Sequence, residues 1–85
     1  MFVIVNHTIR NPAEFWARAQ KALPNLPDGI KIHGVFPAPG GAVATCLWEG
    51  RDMAHLRDFL ETNTGDVASN AYMEVDAGNA LGLPK

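Results

Sequence analysis

Residues 42–49 read Ala-Val-Ala-Thr-Cys-Leu-Trp-Glu, an apolar run with almost no polar alternation. Gly40-Gly41 precedes it and Gly50-Arg51-Asp52 follows, so the run is bounded by a turn and by a helix start. A strand that is apolar on both faces belongs in the middle of a sheet, covered above and below. An 85-residue chain has little material for two covering layers. A domain of this size buries only about 60–65% of its unfolded surface. A second copy of the chain is therefore expected to supply the missing layer, giving a homodimer. The face of this strand with Ala44, Cys46 and Trp48 is expected to meet that partner: two small side chains admit the second sheet, and Trp48 anchors one end. Val43 and Leu47 are then expected to pack on Phe15, Leu23, Leu56 and Phe59 of the helices.

The flanking segments are read in the same terms. Residues 2–9 form a first strand, with Phe2, Ile4, Asn6 and Thr8 on one face and Val3, Val5, His7 and Ile9 on the other. Asn11-Pro12-Ala13-Glu14 opens a helix, with Asn11 as cap, Pro12 at the first helical position and Glu14 completing a capping box. Phe15, Trp16, Ala19, Ala22 and Leu23 make its apolar stripe, and Pro24 ends it. Residues 30–36 form a second strand that groups Ile30, Ile32, Gly34 and Phe36 against Lys31, His33 and Val35. Asp52 caps a second helix striped with Met53, Leu56, Phe59 and Leu60, and Gly65 closes it. Residues 71–76 form the last strand. The order β-α-β-β-α-β predicts an α+β, ferredoxin-like fold, a four-stranded antiparallel sheet with both helices on one face. Residues 1–77 make the single domain and 78–85 a tail.

Composition narrows the function classes. The chain is 47% apolar and 19% charged, the balance of a globular protein, with a net charge of −2. Its seven lysines and arginines fall on different elements, which argues against nucleic acid. The first strand begins at Phe2, leaving no signal-peptide pattern, and no apolar run reaches the ~18–20 residues that span a membrane. A cytoplasmic location is expected. Cys46 is the lone cysteine, so it has no disulfide partner within the chain.

The sequence assigns no catalytic residue. It contains no nucleophile–base pair, HxH or CxxC spacing, phosphate loop or triad order, and whether the chain is an enzyme stays open. His33 shares a strand face with Lys31, which is costly to bury, and so is placed on the open side of the sheet. His7 goes to the helix side and Asn6 to the open side. His55 is read as a solvated residue of the second helix. Glu49 is read as bonding backbone amides at that helix start or pairing with Arg51, and Glu74 as an edge charge.

Gly29-Ile30, Phe36, the Pro/Gly hairpin and Cys46-Leu47-Trp48-Glu49-Gly50 together resemble the small ferredoxin-like proteins of unknown function that include nickel-binding members. The similarity runs from Gly29 through the second helix to Glu74-Val75. It implies the dimeric α/β-barrel superfamily, in which two sheets pack through their open faces and which includes monooxygenases, isomerases and stress-responsive proteins. Lys31 and Met73 stand where the nickel-binding relatives carry histidine, and Asn6 or His7 meets the histidine of strand one. That leaves His7, His33 and Glu74 as the candidate metal ligands, too few for a converging set, and no cofactor is expected. The leading expectation is a dimer that binds a small apolar or aromatic molecule. Asn6, His33, Trp48 and Tyr72 are expected to line its site, between sheet and helices or between two facing sheets. Divalent-metal binding, or a structural or stress role without chemistry, are the alternatives.

Overall fold

A computed structural model describes residues 1–84. Lys85, the last residue of the expected tail, lies outside the described residues. The elements are β1 (Phe2–Ile9), α1 (Pro12–Ala22), β2 (Ile30–Pro37), β3 (Val43–Gly50), α2 (Met53–Thr64) and β4 (Ala68–Glu74), with one 3-10 turn at Leu23–Asn25. The strands form one antiparallel sheet in the order β2-β3-β1-β4. This is the ferredoxin-like βαββαβ arrangement, with β1 and β3 in the middle. No helix among the described residues is long and apolar enough to cross a membrane.

Both helix starts follow from local chemistry. The Asn11 side chain accepts from the Glu14 backbone N–H at 3.1 Å, and the Asp52 side chain from that of His55 at 2.7 Å. Only half of the expected capping box forms, because the Asn11 backbone N–H donates to the Val67 carbonyl at 3.3 Å while the Glu14 carboxylate accepts from Arg18 one turn on, at 3.0 Å. Pro24 does end α1: the helix stops at Ala22 and Pro24 sits in the 3-10 turn.

The last strand starts three residues earlier than the sequence suggests. Ala68, Ser69 and Asn70 pair with Ile9, Thr8 and His7. Ser69-Asn70 has loop chemistry, but tertiary partners for the Asn70 side chain override it.

The two faces of β3 are the reverse of the expectation. Ala44, Cys46 and Trp48 are buried under the helices, while Val43, Thr45, Leu47 and Glu49 look to the open side. Trp48 packs edge-on against Phe59 of α2 with ring centroids 6.2 Å apart. The physical reason is phase. Val3, Val5 and His7 of β1 are on the helix side, and the register sets Trp48 opposite Val3 and Cys46 opposite Val5. Small Cys46 and Ala44 make room for helices, not for a second sheet. Val3, Val5 and Leu56 are fully buried in this core, each worth about 1.5–3 kcal/mol.

A register shift in β2 between Ile32 and Gly34 marks a bulge at His33. It changes the strand's phase. Val35 joins Ile30 and Ile32 on the helix side, opposite Cys46, while Phe36 lies opposite Thr45 on the open side with Lys31 and His33. The Phe36 ring folds back over Gly34, where an added Cβ would come within 2.5 Å of it.

Candidate functional site

Between the sheet and the two helices lies a cavity of about 40 Å³. Phe15, Ala19 and Leu23 of the α1 side, Phe59 and Leu60 of α2, and His7, Val35, Cys46 and Trp48 of the sheet line it. Its wall is apolar throughout. Arg18 and Asn63, both partly exposed, edge it where α1 meets the end of α2. Here Arg18 grips the Asp66 carboxylate with both terminal nitrogens, at 2.5 and 3.0 Å, and donates to the Asn63 carbonyl at 3.1 Å. The guanidinium holds Asp66 below the usual carboxylate range.

The size decides what fits. A water needs at least ~10–15 Å³ of such space, whereas a known cavity that takes benzene measures about 150 Å³. The cavity has room for a molecule of a few heavy atoms. An aromatic ring enters only if α1 and α2 part.

A hydrogen-bonded chain runs outward from His7. The Asn70 amide nitrogen donates to the Glu61 carboxylate at 2.8 Å, which turns the Asn70 carbonyl oxygen toward His7. That oxygen lies 2.5 Å from His7 Nδ1, so it accepts the Nδ1–H and fixes the tautomer. Tyr72 donates to the same Glu61 oxygen at 2.5 Å, and Arg57 lies 4.8 Å over the Tyr72 ring. His7 is 2% exposed, and burial lowers its pKa from 6.5, which favours the neutral ring. Hydrogen bonds from Tyr72 and Asn70 hold Glu61 below the usual carboxylate range. Burial pushes the Cys46 thiol up to about 11, so at neutral pH it is an inert thiol. The Trp48 indole nitrogen is buried and has no hydrogen-bond partner among the described residues.

The residues expected to form one site lie on two faces. Trp48 lines the cavity, and Tyr72 lies on the same face of the sheet, with its hydroxyl on Glu61. Asn6 is on the open face, where its side-chain oxygen accepts from Thr45 at 2.7 Å. His33 is also there, 2.8 Å from Glu49 and beside the Phe2 ring at 5.5 Å. Glu49 thus pairs with His33, not with Arg51 or a helix start. His55 is half-buried, with its Nδ1 out of solvent. Of the metal candidates, His7 and Glu74 belong to the helix-side rows and His33 to the open face. Among the described residues no group of three or more His, Cys, Asp or Glu is placed to hold a metal ion. Sequence reasoning missed Asn70, Glu61 and Thr64. For Asn70 the only signal was a polar pair at a strand start, which also reads as a loop, and Glu61 and Thr64 stand in the polar last turn of α2, which reads as a solvated helix end.

Comparison with protein families, with curated proteins and with solved structures finds no match to this chain.

Proposed function

We propose that this protein holds a small apolar molecule of a few heavy atoms in the cavity between helices and sheet, and that it does so as a homodimer joined through the open sheet face. The observation that carries the first half is the apolar wall around about 40 Å³ of unfilled space. Well-packed interiors leave few voids larger than a water molecule. A dry apolar void accepts apolar guests such as xenon. The neutral His7 ring beside it keeps charge out of the space.

The dimer half draws on the open face, which a lone chain leaves with Phe36, Val43 and Met73 exposed. The resemblance of residues 29–50 to small ferredoxin-like proteins supports the same assembly, a dimeric α/β barrel. Two facing sheets would enclose a second space over the groove of about 270 Å³ that Ile4, Phe36, Leu47 and Val75 line. The helix-side cavity is the better site because one chain supplies all of its lining.

Methyl NMR under xenon pressure tests the pocket. Leu23, Val35 and Leu60 signals should shift together, and filling the space with Ala19→Leu should abolish the shifts. Shifts confined to methyls outside the cavity, or none, would sink the pocket reading. For the assembly, sedimentation velocity should give a dimer at micromolar concentration, and a monomer there would sink it.

A further inference from the structure

Among the described residues four large hydrophobic side chains are exposed: Phe36 at 64%, Val43 at 50%, Met73 at 54% and Leu81 at 99%. All four belong to the open side. Phe36, Val43 and Met73 stand on the open sheet face. Leu81 rides on the chain that follows β4 and turns back across that face. Val75 extends the ladder to the Phe2 carbonyl at 2.9 Å, and Asp76 then turns the chain by accepting from the Gly78 backbone at 3.2 Å and the Asn79 side chain at 2.7 Å. Residues 80–83 border, with Ile4, Phe36, Thr45 and Leu47, a groove of about 270 Å³ on that face. Ala80 and Leu83 are half-buried there, while Leu81 is almost wholly in solvent. The tail is seated by its neighbours, and the seating turns its largest exposed side chain outward.

We infer that Leu81 is an anchor presented to a second copy of this chain, seated on that copy's open face among Phe36, Val43 and Met73. The inference rests on the dimer proposed above and adds the element that grips. The occupant is a second copy because the open face suits its own image. Among the described residues the strands of this face present Lys31 and Glu49, opposite each other on β2 and β3, with His33 bonded to Glu49, and Arg10 reaches its end at Ser69, so the face carries both signs and self-docking can set unlike charges together. A strongly acidic or basic partner would find no opposing field here. In the polar middle of the face Thr45 donates to the Asn6 oxygen, a bond that a covering layer leaves in place, while the Asn6 amide nitrogen needs an acceptor from that layer. A twofold contact uses the patch twice, which places two Leu81 side chains in one interface.

The test is sedimentation velocity on the full chain and on Leu81→Ser across a concentration series, with a thermal melt of each at concentrations where the chain is monomeric. A leucine anchor at the middle of an interface predicts at least a tenfold weaker dimer for Leu81→Ser. The monomer melt should not move, because Leu81 is almost fully exposed in its own chain. An unchanged dimer constant in Leu81→Ser, beside a dimeric parent, would overturn the anchor and leave the dimer standing. A parent that stays monomeric would remove both. A melt lowered by Leu81→Ser would show the side chain acting within its own chain, and that too would overturn the inference.

Discussion

Leu47 and Trp48 are consecutive residues of one central strand, and they live in different environments. Trp48 sits among Val3, Ile32 and Phe59 beneath the helices, 4% exposed, while Leu47 lies between Ile4 and Gly34 on a face with no helix over it. The sheet has a finished side and an unfinished one. The finished side has helices, a core and a cavity, and its polar residues Asn70 and Thr64 are tied into networks. The unfinished side carries equally apolar strands but only a passing tail. Apolar content alone does not tell which face the helices take; partner side chains on neighbouring strands do.

The largest break in this contrast is expected from Trp48→Ala. As a core truncation it should cost about 3–5 kcal/mol in denaturant unfolding. Leu47→Ala, one residue away, should cost the monomer about 1 kcal/mol and weaken the proposed dimer instead. Equal losses in the two variants would erase the distinction between the faces. Next comes Asn70→Ala, which strands the His7 Nδ1–H inside the protein and removes one donor from Glu61. An unsatisfied buried donor costs about 1–3 kcal/mol. Chemical denaturation should show that loss, and loss of the fixed Nδ1–H tautomer should appear in the His7 ring nitrogen shifts.

A gentler effect is expected from pH. Burial depresses the folded-state pKa of His7 below 6.5, so between 6.5 and that lower value the unfolded chain binds a proton that the folded chain does not. Stability should therefore be fully present above pH 6.5 and fall as the pH drops below it. Glu61, Glu49 and Asp66 have pKa values lowered from 4.5, 4.5 and 3.8, so their losses come at more acidic pH. A His7→Gln variant whose denaturation midpoint keeps the parent's slope over this window would assign the slope elsewhere. The smallest effect is expected from Gly34→Ala. The new methyl meets only the far end of the Phe36 ring, which is exposed and free to swing aside. Monomer stability should change by less than about 1 kcal/mol, while the constant of the proposed dimer should move because the ring leaves its place on the open face. A monomer loss of several kcal/mol would mean that the ring is held there.

Much of the architecture was legible in residues 1–23 and 40–60. Asn11-Pro12 and Asp52 announce their helices through backbone donors that need acceptors, and the caps form where the chain places them. The β-α-β-β-α-β order, the central position of β1 and β3, and the opposite faces of His7 and Asn6 also follow from periodicity. Three features did not. The phase of β3 was hidden because an unalternating run fits either way round. The bulge at His33 leaves no mark in residue types. The start of β4 was masked because Ser69-Asn70 favours a loop until His7, Glu61 and Thr64 supply partners from elsewhere in the chain. That is why the site was legible only in pieces: Trp48 and His7 line the cavity, but what fixes the His7 ring comes from β4 and α2.

The irregularity at His33 has a consequence for solubility. β2 is an edge of the sheet, and an exposed edge offers unpaired backbone groups to any other strand. A bulge within it, Lys31 outward and Pro37 without an N–H at its end break the even row that strand addition requires. Growth by edge-to-edge stacking, the route to fibrils, is blocked along that border. The pairing proposed through the flat of the sheet does not use that border, so it would not lead to polymers by that route.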